Sequence, residues 1–191
     1  MSPSESPRVL VVAATAAELC GHEGLVCGVG PVEAAAATAR ALAAGRVDAL
    51  LHVGLAGARR SAGIAVGSLV VGSSSRYEDL ATSEPLAPST ALPDRRLVAA
   101  VARALGVEPL PIGTSARVGS IVACDVEAME GFAVLRACEL AAVPAVEVRA
   151  VSNRLGEPRA RWRVDEALAA LARALPALAA AVAAATASRP E

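Results

Sequence analysis

A chain of 191 residues has the size of one globular domain and can bury a sizeable apolar interior. Apolar residues make up 54% of it, charged residues 19% and aromatic residues 2%, which excludes a disordered segment, a collagen-like repeat and a disulfide-dense miniprotein and calls for an aliphatic core. The eighteen basic residues, all arginine, face nineteen acidic ones for a net charge of −1, so the charge balance favours neither nucleic acid nor an anionic membrane, and a small neutral or anionic ligand fits better.

In chain order, short β-branched runs alternate with alanine-rich stretches of helical spacing. That is the pattern of an α/β domain, a largely buried sheet covered by helices. Strands are expected over 9–12, 24–29, 49–53, 68–72, a piece within 119–122, and 145–151. The first run, VLVV, is flanked by Glu5 and a single Arg8, which reads as a buried strand and not as a secretory signal. Helices are expected over 32–44, where Pro31 suits the first helical position, then 94–105, 129–141 and 164–187. The last is long enough to span a membrane but is mostly alanine and holds Arg173 and Pro176; Leu168, Leu171, Leu175, Leu178 and Val182 form a stripe that should dock on the sheet. Residues 82–93, rich in Pro, Ser and Thr, read as an exposed loop. One domain over 1–191 is expected.

Residue chemistry narrows the function less than the fold. Cys20, Cys27, Cys124 and Cys138 match neither a redox pair nor a zinc ribbon and read as small core residues in a reducing, cytoplasmic setting. With only His22 and His52, a histidine-rich metal site or a Ser-His-Asp triad lacks material, and His52, inside an aliphatic run, reads as packed. No metal or other cofactor is expected. Gly28-Val29-Gly30 sits between a strand and a helix, but Glu33 stands where a dinucleotide fingerprint needs its third glycine and would repel a pyrophosphate. Gly54-Leu55-Ala56-Gly57 reads as a second glycine turn after a strand, a place where open α/β sheets bind ligands. Glu130 at a helix start could be a dipole partner only, and Asn153 a turn residue only.

These residues resemble the nucleoside phosphorylase and nucleosidase superfamily, and within it the methylthioadenosine/adenosylhomocysteine nucleosidases and the futalosine hydrolases. Glu18 is similar to the family carboxylate that activates water, and Cys27 to Val32 to its second strand and glycine turn. Gly54-Leu55-Ala56-Gly57 resembles the glycine-alanine loop, and Arg76-Tyr77-Glu78-Asp79 the stretch that follows it. Met129-Glu130 resembles the pair that packs under the ribose and binds its hydroxyls; Arg149-Ala150-Val151-Ser152-Asn153 resembles the motif whose last residue holds the purine. The wording around both motifs looks closer to the futalosine hydrolases.

The resemblance implies a three-layer fold with a central mixed, twisted sheet flanked by helices, and hydrolysis of the N-ribosidic bond of futalosine in menaquinone biosynthesis, with release of hypoxanthine. Glu18 and Asn153 would be catalytic, and Leu55, Ala56, Gly57, Val122, Met129, Glu130, Phe132, Arg149 and Ser152 would bind substrate. Arg149 would orient the water with the backbone around Ala56 and Gly57. Adenine-specific relatives carry an aspartic acid at the terminal position; Asn153 offers two N–H donors instead, which suits N7 and O6 of a 6-oxopurine. A carboxylate in the nucleophile pocket repels phosphate and favours water.

Two departures from the family stand out. Roughly a dozen residues of the family's segment before Met129 are missing, judged by ordinary connection lengths, which removes a base-stacking aromatic and leaves Val122 or Phe132 to replace it. Leu55 stands where adenine-specific relatives have a serine, so another donor must serve there. The readings that compete are a nucleosidase for 5′-modified adenosines and a catalytically weak nucleoside-binding paralogue. Relatives form homodimers or higher oligomers in which a neighbouring subunit closes the 5′ side of the pocket, so self-association is expected, involving residues 82–93. For the benzoate end of futalosine, Arg59, Arg60, Arg154 and Arg161 are candidates.

Overall fold

A computed structural model describes residues 6–80, 86–117 and 123–188. The elements run β1 (Val9–Ala13), β2 (Leu25–Val26), α1 (Pro31–Ala44), β3 (Ala49–Ala58), β4 (Leu69–Tyr77), β5 (Thr90–Ala91), α2 (Arg95–Leu105), β6 (Leu110–Thr114), β7 (Val126–Ala128), α3 (Gly131–Leu140), β8 (Ala145–Arg154) and α4 (Val164–Ala187). The sheet is mixed, in the order β2-β1-β3-β7-β6-β4-β5, and β8 pairs with both β3 and β4. Since β3 also pairs with β7, the ladders β3-β8-β4-β6-β7 close into a ring, with β1 and β2 on one side and β5 on the other.

Strand alternation sorts the core into layers. Val11, Ala13, Leu51, Val53, Val146, Val148 and Ala150 meet Leu171, Leu175, Leu178 and Val182 of α4 and Leu97 and Val101 of α2. Val12, Leu50 and Ala145 face the other way, against Val134, Leu135 and Cys138 of α3 and Ala34 of α1. Val70, Ile112, Val126 and Val151 fill the ring. This is the three-layer arrangement expected from the sequence.

Local chemistry sets the helix ends. Pro31 occupies the first turn of α1, where its missing N–H costs nothing. Asp94 caps α2 by accepting from the backbone N–H groups of Arg96 and Leu97 at 2.9 and 3.2 Å, and Gly106, at φ 66°, ends that helix in the left-handed conformation. In α4 the predicted stripe docks as expected except at its first member: Leu168 lines a cavity and leaves the core to Ala167, Leu171, Leu175, Leu178 and Val182. By length and composition α4 could cross a membrane, but Leu171, Leu175 and Leu178 are spent on the sheet.

Several expectations need correction. Gly54-Leu55-Ala56-Gly57 is strand, not turn: β3 runs on to Ala58 because β8 and β7 pair with it there. Strand β2 keeps only two residues. Strands β6 and β7 were not foreseen, one behind Pro111 and the other only three residues long, and because β7 takes Val126–Ala128 the following helix starts at Gly131 and not at Met129. Thr90–Ala91, inside the expected loop, is a short strand on the edge of β4. The expected piece within 119–122 lies outside the described residues.

Candidate active site

A cavity of about 480 Å³ opens where the parallel strands β1, β3 and β8 end, the edge at which α/β sheets ordinarily take ligands. Thr15 and Glu18 come from the turn after β1, Leu55 to Gly57 from β3, Glu127 to Glu130 from β7 and the start of α3, and Ser152 and Asn153 from β8. Of the residues singled out from sequence, Glu18, Leu55, Ala56, Gly57, Met129, Glu130, Ser152 and Asn153 line this one cavity.

Glu18 is buried and tightly held. Its Oε2 accepts from the backbone N–H and the hydroxyl of Thr15 at 2.9 and 2.8 Å, and its Oε1 accepts from the backbone N–H of Leu55 at 2.8 Å. The donor that Leu55 lacks in its side chain is thus supplied by its main chain.

Asn153 reaches the cavity through a register shift. The β3/β8 ladder slips between Ala56 and Gly57, pairing Ala56 with Val151 and Gly57 with Asn153. The bulge lets Ser152 and Asn153, consecutive residues that a regular strand would point to opposite faces, both line the cavity. The Ser152 hydroxyl donates to Asn153 Oδ1 at 2.9 Å, and Asn153 Nδ2 donates to the carbonyl of Arg154 at 3.1 Å. One amide N–H of Asn153 is therefore committed to the backbone, and one remains for a ligand where the sequence alone counted two. Gly57 is required by proximity, since a Cβ there would stand 2.9 Å from Asn153 Nδ2.

Beneath the cavity lies a buried polar cluster. Paired strands put His52 beside Glu147 and Gly54 beside Arg149, all on the face that looks toward α3. The Arg149 guanidinium, fully buried, donates through Nε to Glu147 Oε1 at 2.8 Å, through Nη1 to Glu130 Oε2 at 3.3 Å, and through Nη2 to His52 Nε2. His52 Nδ1 lies 3.1 Å from the carbonyl of Val12 and must donate to it, so Nε2 carries the lone pair that Arg149 uses. Burial, and then the Arg149 charge, hold the imidazole well below its ordinary pKa, so the ring is neutral. His52 is packed as expected, but it also orients Arg149.

Glu130 links the cluster to the cavity. Its Oε1 accepts from the backbone N–H of Gly30 at 3.0 Å while Oε2 accepts from Arg149. Burial raises its pKa, Arg149 and the Gly30 N–H pull the other way, and the nearby Glu18 and Glu147 add to the rise. Arg149 itself does not line the cavity, and its three donor positions are taken by protein groups. Gly54 shows how close it nevertheless stands to Glu18: a Cβ on Gly54 would overlap Arg149 Nη1 and lie 2.9 Å from Glu18 Oε1.

After Arg149, a second sequence-predicted residue falls elsewhere. Phe132 stacks on Tyr77, with ring centroids 5.3 Å apart, and does not line the cavity; Val122 lies outside the described residues. Among the described residues no group of His, Cys, Asp and Glu is arranged to hold a metal ion. Sequence reading missed Thr15, Glu127, Glu147 and Arg159 and left Trp162 open. The Glu147 and Arg149 pair was readable in principle, because two charges two positions apart in a strand share one face.

Comparison with known proteins gives a consistent picture. The model of the phosphorylase superfamily matches residues 23–187. The futalosine hydrolase of Streptomyces coelicolor is 39% identical over 190 residues, covering 83% of this chain and 79% of that one. That of Thermus thermophilus is 35% identical over 181 residues, covering 81% and 80%. Two solved structures share the fold: native futalosine hydrolase of Helicobacter pylori, with TM-score 0.78 and 16% identity over 91% of this chain and 97% of that one, and the 5′-methylthioadenosine/S-adenosylhomocysteine nucleosidase of Colwellia psychrerythraea in complex with adenine, with TM-score 0.76 and 22% identity over 95% and 96%.

Proposed function

The chain belongs to the phosphorylase superfamily and is an N-glycosyl hydrolase, and from that premise we propose that it cleaves the N-ribosidic bond of futalosine and releases hypoxanthine. The observation that carries this reading is that Glu18, Glu130 and Asn153 line a single cavity.

In the proposed reaction the bond between ribose C1′ and purine N9 lengthens first, leaving positive charge on the sugar and negative charge on the base. The Glu18 carboxylate accepts a proton from water as the water oxygen bonds to C1′, and its charge offsets that of the sugar. Its three donors fix its direction before substrate arrives, which is the positional advantage a general base needs. Glu130 accepts from the ribose hydroxyls, with Met129 packed under the sugar. Arg149 acts as a positioning residue: it holds Glu130 from below and balances the charge of the carboxylates around it. The free N–H of Asn153 donates to the departing hypoxanthine. An asparagine amide cannot serve as the acid for an adenine N7, which favours a 6-oxopurine.

Purified protein incubated with futalosine should release hypoxanthine, followed by chromatography; release no greater than that of a Glu18→Gln control overturns the reading. Adenine release from 5′-methylthioadenosine at a comparable rate would instead favour the adenosine-specific alternative. The setting is the cytoplasm, and the chain self-associates: Val29, on the cavity wall and 55% exposed, lies three positions from each of exposed Val26 and Val32, and Leu86 and Leu92 are bare within 82–93. Sedimentation giving only monomer overturns the self-association.

A further inference from the structure

One wall of the cavity carries a cation and an arene that the proposed hydrolysis leaves without a task. Arg159 and Trp162 belong to the turn between β8 and α4, and with Leu155, Val164 and Leu168 they complete the cavity lining. None of the four arginines considered from sequence is there. Arg59 Nε donates to the carbonyl of Cys124, Arg154 is engaged with the carbonyl of Ile64, and Arg60 and Arg161 lie off the lining.

The Arg159 and Trp162 pair is held in shape. The guanidinium carbon sits 4.4 Å from the indole centroid. The Trp162 backbone N–H donates to the Arg159 carbonyl at 3.1 Å, and the indole N–H donates to the Glu157 carbonyl at 3.0 Å, so the ring cannot turn without losing a bond. Arg159 has no carboxylate partner among the described residues, although Glu157 is two positions away; that carboxylate accepts from the Arg154 backbone N–H and lies 4.0 Å from Arg163. A guanidinium lying on an aromatic face keeps its N–H edge in plane, the geometry that receives a carboxylate with two parallel hydrogen bonds. Trp162 is also the one aromatic residue among the described lining residues.

We propose that this wall is the subsite for the 5′ substituent of the substrate and that it selects an aryl carboxylate: Arg159 receives the benzoate carboxylate of futalosine, and Leu155, Val164, Leu168 and the free edge of Trp162 cover the arene and its linker. The assignment rests on the nucleosidase reading, in which the base is at Asn153, the ribose hydroxyls at Glu130 and the water at Glu18, so this is the part of the cavity left for the group at C5′.

The test compares futalosine, its methyl ester and inosine. With wild-type protein the ester should lose about tenfold to a hundredfold in kcat/KM, mostly through KM, the size expected for a charge-assisted pair. Arg159→Gln should impose the same loss on futalosine and leave the ester and inosine unchanged, and Arg159→Lys should recover part of it. Equal handling of futalosine and its ester by wild type, or an unchanged preference in Arg159→Gln, overturns the subsite. Calorimetry in the Glu18→Gln background separates the two readings. If wild type hydrolyses no nucleoside, the hydrolase reading fails, while tighter binding of futalosine than of its ester, abolished by Arg159→Gln, still upholds the subsite and its absence removes it.

Discussion

The backbone N–H of Leu55, in the middle of β3, donates to Glu18 Oε1 across 2.8 Å, which ties the direction of the carboxylate to the central strand of the sheet. Thr15 engages the other oxygen twice. The carboxylate is therefore fixed from two elements at once.

Glu18→Gln replaces an acceptor by an amide that must set its NH2 group against either the Leu55 N–H or the Thr15 donors. Loss of the base should lower kcat by about 10²- to 10⁴-fold while KM changes little, read by steady-state hypoxanthine release. A fall confined to KM would contradict the role.

Gly54→Ala tests the same corner sterically. The added methyl overlaps Arg149 Nη1 and comes within 2.9 Å of Glu18 Oε1, and neither neighbour can yield without breaking a buried hydrogen bond. We expect at least a tenfold loss in kcat together with a destabilisation of about 1–3 kcal/mol, measured by kinetics and urea unfolding.

Arg149→Gln strands Glu147 and Glu130 in the interior. Glu147 is fully buried, and its Oε2 already has no hydrogen-bond partner among the described residues. Breaking such a pair from one side should cost about 3–5 kcal/mol in urea unfolding. The double variant Arg149→Gln with Glu147→Gln should recover part of that loss, because the deepest uncompensated charge is gone.

His52 gives the fold a pH dependence of definite sign. Its native pKa lies well below 6.5, so on acidification the unfolded chain takes up a proton that the native state refuses, and stability is lost as pH falls from 6.5 toward the native value. Tm should therefore fall between pH 7.5 and 5.5. Glu130, whose native pKa is raised above 4.5, acts oppositely: stability falls as pH rises from 4.5 through its native value. Comparing the pH slope of Tm for wild type with that of His52→Gln isolates the histidine; equal slopes would contradict its burial as a neutral ring.

Much of this arrangement was legible in the residues, and the illegible parts have physical causes. The run VLVV announces a buried strand by its unbroken apolar character and AVEVRAV by its recurring valines, and Pro31 and Asp94 mark the beginnings of α1 and α2 by their chemistry. The glycines of Gly54-Leu55-Ala56-Gly57 suggested a turn, yet they are strand, because Gly54 and Gly57 make room for Arg149, Glu18 and Asn153. Strands β6 and β7 escaped because a proline and a three-residue length hide the alternation. Arg149 was expected at the water; it lies one layer deeper because it shares a strand face with Glu147, and it is the pairing of β3 with β8 that brings His52 to it.

The slip in the β3/β8 ladder divides β8 into two independently phased halves. Upstream of it the strand keeps Arg149 pointed at its interior partners; downstream it presents Asn153 to the cavity, and a uniform ladder could not meet both demands with this spacing. Ser152 is the extra residue of the slip, and leaving it unpaired is what sets Asn153 opposite Gly57, on the other face from Arg149. The side chain at 153 can therefore change without disturbing the ionic foundation a few residues earlier.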